Sequence, residues 1–207
     1  MSEIRLLIAR HGETDLNKKG LLQGRGIDAP LNETGHKQAR AISEYLKQYN
    51  ASNLVSSSLK RSWQTALPVE ERTELETLKI EALDEMHFGK FEGVPYKEAS
   101  AELNEIHNAW VSGDVVRPIP QGESPQEVYD RANAAVEQLI EKYRDGTMVL
   151  ILHGRLIRIL LSSWLGYGLN NMHKIEHQNG ALYQIVYNGN FKPVYLNKTD
   201  HLQISPD

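Results

Sequence analysis

A mostly parallel β-sheet covered by helices on both faces is the fold class this sequence predicts. Short leucine-rich and β-branched runs recur at Ile4-Arg5-Leu6-Leu7-Ile8-Ala9, Asn53-Leu54-Val55-Ser56 and Met148-Val149-Leu150-Ile151-Leu152. Two of them are near-continuous in apolar residues, the pattern of strands buried on both faces. The stretches between them repeat apolar residues at three- and four-residue steps, and parallel strands need such helical crossovers.

In chain order, the first strand stops at Arg10-His11-Gly12-Glu13-Thr14. Asp15 to Pro30 is polar and punctuated by Gly20, Gly24 and Gly26, a loop whose backbone N–H groups suit an anion. Its glycine spacing fits neither the dinucleotide fingerprint nor the Walker pattern. Thr34 is placed to cap a helix carrying Ala39, Ile42, Leu46 and Tyr49 on one face. The strand at 53–56 passes through Ser57-Ser58, a pair suited to capping, and Leu59-Lys60-Arg61 into a helical stretch, Ser62 to Ala66, that Pro68 should end.

Lys79 to Leu83 is a third strand candidate, followed at once by Asp84-Glu85. From about residue 86 to 123 the pattern loosens around a helix from Tyr96 to Trp110, and this reads as a lid or insertion in a single domain spanning 1–207. Ser124-Pro125-Gln126-Glu127 combines a capping serine, proline at the first helical position and a reciprocal glutamate. The helix it starts bears Val128, Ala132, Ala135, Leu139 and Tyr143 along one side, with Gly146 placed to end it. The strand at 148–152 stops at His153-Gly154 and leads into a helix from Arg155 to Trp164. Gly180 to Val186 and Lys192 to Leu196 form two late strands joined at Asn188-Gly189-Asn190, and the tail after Asp200 reads as a surface segment.

Composition narrows the function. Twenty-three Lys and Arg against 27 Asp and Glu give a formal charge of −4, which disfavours nucleic acid as a partner and makes any anion site local. There are no cysteines, so thiol nucleophiles and thiolate metal sites are excluded. The opening residues lack the features of a secretion signal, and the apolar stretch Leu156 to Leu165 is too short for a bilayer and holds Arg158. A cytoplasmic protein with no membrane partner is expected, its oligomeric state left open.

In parallel α/β sheets ligands bind at the carboxyl ends of the strands. Arg10-His11, Arg61, Glu85 and His153 each follow a candidate strand, so the fold should gather them on one rim. The set suits a phosphate monoester of charge about −1.5 to −2. Arg10 and Arg61 would grip the oxygens, His153 would add an N–H at a helix start, and His11 would attack phosphorus. Glu85 would protonate the leaving oxygen and must hold a proton to do so, with Asp84 as its competitor.

On these residues the sequence resembles the histidine phosphatase superfamily, the phosphoglycerate mutase-like family. The matching segments are Leu7 to Thr14 with Asn17, Gln23-Gly24, Pro30 to Gly35, Ser56 to Ala66, Leu83-Asp84-Glu85, Phe88 to Gly93, Gly122-Glu123-Ser124, and Leu152-His153-Gly154 with Ile157-Arg158. The resemblance implies a three-layer α/β/α sandwich, a phosphorylated His11, Glu85 as proton donor, and a pocket of Arg10, Arg61 and His153 completed by Asn17, Gln23 and Gly24. Gly154 belongs to the same substrate-binding set. It implies no metal and no cofactor, and a small-molecule phosphomonoester as substrate. Leu16 stands where the family often has tryptophan, and Arg155 follows His153-Gly154 where phosphatases carry a small residue. Arg155 either contacts substrate or points to solvent.

The segment between Glu85 and His153 is shorter than in glycolytic mutases. Its Lys90, Lys97 and Arg117 are outnumbered by Glu92, Glu98, Glu102, Glu105 and Asp114. A phosphatase is therefore favoured over a cofactor-dependent phosphoglycerate mutase. A non-catalytic phospho-ligand binder ranks lower, because a binder needs neither His11 nor Glu85. His173 and His177, four apart, lack the zinc-protease glutamate and read as ordinary packing or surface residues, as do His36, His107 and His201. His87, two residues from Glu85, is a weaker candidate for the pocket.

Overall fold

The computed structural model describes residues 3–203. Its centre is a six-stranded sheet formed by β1 (Ile4–Arg10), β2 (Asn53–Ser57), β3 (Thr77–Ile80), β4 (Gly146–Leu152), β5 (Leu182–Tyr187) and β6 (Phe191–Lys198), in the order β3-β2-β4-β1-β5-β6. The first four strands in that order run parallel, β5 pairs antiparallel with β1, and β6 pairs antiparallel with β5, so β5 alone is reversed. The sheet is thus mostly parallel, as the apolar runs predict.

Both faces of the sheet are buried, and the two-residue period of the strands sorts their side chains. Ile4, Leu6 and Ile8 of β1 with Met148, Leu150 and Leu152 of β4 point to one side, where α4 (Tyr96–Val111), α5 (Pro125–Tyr143) and α6 (Gly154–Trp164) cover them. Leu7, Ala9, Val149 and Ile151 point to the other, against α2 (Glu33–Leu46) and α3 (Lys60–Thr73). The result is a three-layer α/β/α sandwich. From the adjacent ends of β1 and β4 the chain departs to opposite faces, toward α2 and α6 respectively, which opens a crevice at that edge.

Several local expectations are corrected. Lys79 to Leu83 is not one strand: β3 ends at Ile80, and Glu81–Leu83 is a 3-10 turn that aims the next residues across the sheet edge. Asn32, not Thr34, caps α2, its side chain accepting Gly35 N at 2.9 Å. Pro68 does not stop α3, which runs on to Thr73 with Ala66 and Val69 fully buried on either side of it. Gly146 does not end α5. Arg144 makes that turn at φ 59, and Gly146 opens β4 at φ 94. The polar loop after β1 contains a one-turn helix, α1 (Asp15–Lys18), with a reciprocal Thr14–Asn17 cap. The described part of the tail is no mere surface segment, since His201 is buried and its Nε2 lies 3.0 Å from Gly180 O.

The capping box at Ser124 and Glu127 is present as predicted. The segment preceding it is pinched off at its base, where Glu123 N donates to His87 O (3.0 Å) and His87 N to Glu123 Oε2 (2.8 Å). Within it Ala99, Leu103, Ile106 and Trp110 of α4 join the same core as α5 and α6.

The loop bearing His11 is locked against α2 by two glycines. A Cβ on Gly35 would sit 2.1 Å from Glu13 O, and one on Gly12 would sit 2.5 Å from Gly35 O. Gly35→Ala is predicted to cost about 2–3 kcal/mol, a typical overpacking penalty. Urea unfolding measures it, and an unchanged midpoint would show that the loop yields freely.

Candidate active site

Register brings the two histidines together. β1 and β4 end in step, Arg10 opposite Leu152, so His11 and His153 follow side by side with ring centroids 5.1 Å apart. His11 N donates to Leu152 O (2.9 Å), Gly12 N to Thr65 Oγ1 of α3 (3.0 Å), and Asn179 Nδ2 to His11 O (3.1 Å). Three contacts from separate parts of the chain therefore fix the His11 loop.

The His11 ring is buried, with Nδ1 2.7 Å from Gly12 O. A carbonyl only accepts, so Nδ1 carries the hydrogen and Nε2 keeps its lone pair. Burial, and then the guanidiniums of Arg61 and Arg10, hold the imidazole well below the usual histidine range. His153 is depressed likewise by burial, Arg61 and His11; its Nε2 meets Ser57 Oγ at 2.6 Å, while its buried Nδ1 has no partner.

Arg61 is fully buried, and the loop after β1 holds it. Nη1 donates to Ile27 O (2.8 Å) and Nη2 to Gly24 O (3.1 Å). Gln23, with its amide oriented to satisfy both ends, accepts Arg61 Nη1 (2.8 Å) and Nε (3.1 Å) and donates to Thr14 Oγ1 (2.7 Å). Of the five N–H groups of a guanidinium these contacts use four, leaving one on Nη2. Burial lowers the Arg61 pKa to about 10, so it stays charged at neutral pH.

A cavity of about 340 Å³ opens at this edge, and Arg10, Asn17, Gln23, Glu85 and Gly154 line it. Gly154 is needed there, because a Cβ would sit 2.6 Å from His177 Cδ2 and 3.0 Å from Arg10 Nε. Gly24 lies outside the lining, behind Arg61. Asn17 Oδ1 is taken by Thr14 N and Asn179 Nδ2, so only its NH₂ can serve a ligand. A larger depression of about 750 Å³ runs along α2 between Arg40 and Gln48, away from all these residues.

Glu85 and Asp84 part company. Asp84 turns to the loop before α3, accepting Ser58 N and Ser58 Oγ at 2.9 Å. Glu85 faces the cavity and caps α6: Oε1 accepts Met86 N (2.9 Å) and Leu156 N (3.0 Å), and Oε2 accepts Arg155 N (3.0 Å). The backbone of this turn is gripped by Arg131, which donates to the carbonyls of Ala82, Asp84 and Glu85 while pairing with both oxygens of Glu123.

Sequence reasoning missed several of these residues. His177, read as ordinary, lines the cavity, and burial with Arg10 holds it down to about 3. Its apparent helical pairing with His173 is absent, since the 3-10 turn Leu169–Lys174 ends between them. Among the described residues no cluster suited to a metal ion occurs. His87 does not line the cavity; it lies 3.8 Å from Glu92. Ser57 and Ser58 are neither helix caps nor cavity-lining residues, for α3 has no side-chain cap and they bond to His153 and Asp84 instead. Arg131 and Arg158 bear roles that only the packed fold reveals.

A buried neutral imidazole ringed by guanidiniums, at the crevice of an α/β sandwich, defines an enzyme site built for a phosphate-like anion. Residues 6–199 match the model of the histidine phosphatase superfamily (branch 1), and the chain belongs to that family. It is 29% identical to phosphoserine phosphatase 1 of Hydrogenobacter thermophilus, over 96% of this chain and 94% of the relative. Among solved structures it is similar to phosphoserine phosphatase of Entamoeba histolytica in complex with 3-phosphoglyceric acid, at TM-score 0.86 and 26% identity, covering 96% and 99% of the two chains. It is also similar to a mycobacterial glucosyl-3-phosphoglycerate phosphatase bearing VO3, at TM-score 0.83 and 29% identity over 94% and 99%. The chain is a phosphatase of this family, with small phosphatases for structural neighbours.

The depressed histidines couple pH to stability. In the unfolded chain His11, His153 and His177 take up protons near pH ~6.5, whereas the fold resists them, so stability is full above that pH and declines as pH falls below it. Between pH 7.5 and 5.5 the loss should reach about 3 kcal/mol. Urea titrations at the two values measure it, and equal or greater stability at pH 5.5 would contradict the buried neutral state.

Proposed function

We propose that the protein hydrolyses small phosphomonoesters through a phosphohistidine on His11, with Glu85 as general acid and then base. The observation that carries this reading is the His11 ring itself: its Nδ1 is tied to Gly12 O, which leaves the lone pair on Nε2, and it directly follows Arg10, one of the walls of the cavity.

Arg10 and the remaining N–H of Arg61 hold the phosphoryl oxygens, with Asn17 and His153 completing the cradle. His11 Nε2 bonds to phosphorus as the ester P–O bond breaks, and the leaving oxygen takes a proton from Glu85. Oε2 of Glu85 has one N–H partner against two on Oε1, so Oε2 is the oxygen with a free lone pair for that proton. The Glu85 carboxylate then removes a proton from water, hydroxide attacks phosphorus, the P–N bond breaks, and inorganic phosphate leaves. His11 is again neutral and Glu85 again protonated. None of these steps calls for a metal.

Hydrolysis is favoured over a mutase reaction by the α4 segment, whose cations are committed. Lys90 pairs with Glu102 (2.7 Å) and Arg117 with Glu105 (2.9 Å), leaving neither to retain a bisphosphate. The phosphoserine phosphatases and the glucosyl-3-phosphoglycerate phosphatase among its relatives support the same assignment.

Rapid quench with radiolabelled substrate is predicted to trap an acid-labile, base-stable phosphoenzyme, absent in His11→Ala together with turnover. Glu85→Ala should lose most activity on alkyl phosphates and least on aryl phosphates, whose leaving groups need little acid help. Full turnover in His11→Ala would overturn the nucleophile, and equal loss on both ester types would overturn the acid.

A further inference from the structure

Beyond the phosphate cradle, two cations remain without a task. Arg155 and Arg158 stand three apart on α6, so both present to one side. They line the main cavity and also a side chamber of about 160 Å³ that adjoins it, walled by Leu103, His107 and Trp110 of α4. Among the described residues neither guanidinium has a carboxylate within ion-pair distance, and Arg155 Nη1 is buried with no partner. Arg158 is held by Nε donating to Met172 O (3.0 Å), and Arg155 lies 5.7 Å from the centre of the Trp110 ring. Glu85, the one cavity carboxylate, spends its oxygens on backbone N–H groups.

We infer that Arg155 and Arg158 form a second anion subsite that recognises a carboxylate on the leaving group, making the substrate class small phosphorylated carboxylic acids. The inference rests on the phosphatase reading above and adds the identity of the alcohol. A phosphate dianion is matched by Arg10 and Arg61, so the second pair of cations is surplus to a simple ester. The planar fork of arginine suits the two oxygens of a carboxylate. The chamber is small and its remaining walls, Leu22, Phe88, Ile119 and the ring of Tyr96, are largely apolar, which fits a short carbon chain and leaves no room for a nucleoside. Burying two like charges is unfavourable until an anion enters: burial lowers both, Arg158 to about 10 with Arg155 as a further cause.

The test compares 3-phosphoglycerate with glycerol 3-phosphate, which differ only in carboxylate against hydroxymethyl, and with p-nitrophenyl phosphate as a leaving group without either. The wild-type chain is expected to favour 3-phosphoglycerate over glycerol 3-phosphate at least tenfold in kcat/KM. Arg155→Gln should collapse that ratio by about ten- to a hundredfold, chiefly through KM, the usual loss of a charged hydrogen bond. Arg155→Lys, which keeps the charge without the fork, should recover part of it. Should Arg155→Gln fail to fold, Arg158→Gln is measured in the same way. A wild-type ratio near one, or a variant that loses all three substrates equally, would overturn the subsite. A wild-type chain that turns over none of the three would instead overturn the phosphatase reading.

Discussion

Four guanidiniums, those of Arg10, Arg61, Arg155 and Arg158, crowd one edge of the sheet, and none has a carboxylate partner within ion-pair distance among the described residues. In a chain of formal charge −4 this is a local inversion of sign, kept in place by burial. Desolvated cations repel a proton from a neighbouring imidazole, and that repulsion, added to burial, keeps His11 neutral. The same field that suits a phosphate dianion therefore keeps the His11 ring free of a second proton.

A buried Arg61 and half-buried Arg10, Arg155 and Arg158 without carboxylate partners are unfavourable, so the surrounding structure has to impose them. Arg61 is fixed by Gln23, Gly24 and Ile27, and the Glu85 turn by the Arg131–Glu123 pair. Glycines at 12, 35 and 154 allow backbone and side chains to approach where a Cβ would collide. Of the eight buried side-chain polar atoms without a partner among the described residues, three lie at this edge: Arg10 Nε, His153 Nδ1 and Arg155 Nη1. Buried polar groups are nearly always bonded in proteins, so these three mark where hydrogen bonds are completed by something other than the chain.

The sheet, its parallel centre and the convergence of Arg10, His11, Arg61, Glu85 and His153 were legible because strand ends in a parallel sheet share an edge, and the β1–β4 register turned that rule into adjacent rings. Where sequence reasoning failed, tertiary bonds outweighed local propensity. Pro68 is tolerated because α3 is anchored by buried Ala66 and Val69, and Ser57 bonds to His153 across 96 residues of chain instead of capping its own helix. His177 and Arg158 reach the cavity from the irregular stretch after the 3-10 turn and from the second turn of α6, placements that periodicity does not encode. Arg155 was left between substrate and solvent on sequence; in the fold it is half-buried and lines the cavity, with Trp110 of α4 5.7 Å from its guanidinium.

The central claim, that His11 is neutral with its hydrogen on Nδ1 and its lone pair on Nε2, is most directly tested by nitrogen NMR on the full chain labelled at histidine ring nitrogens. One protonated and one unprotonated nitrogen are expected for His11 throughout pH 8 to 6, with Nε2 the unprotonated one and the one phosphorylated when substrate is added. An imidazolium in that range, or a hydrogen on Nε2, would contradict it.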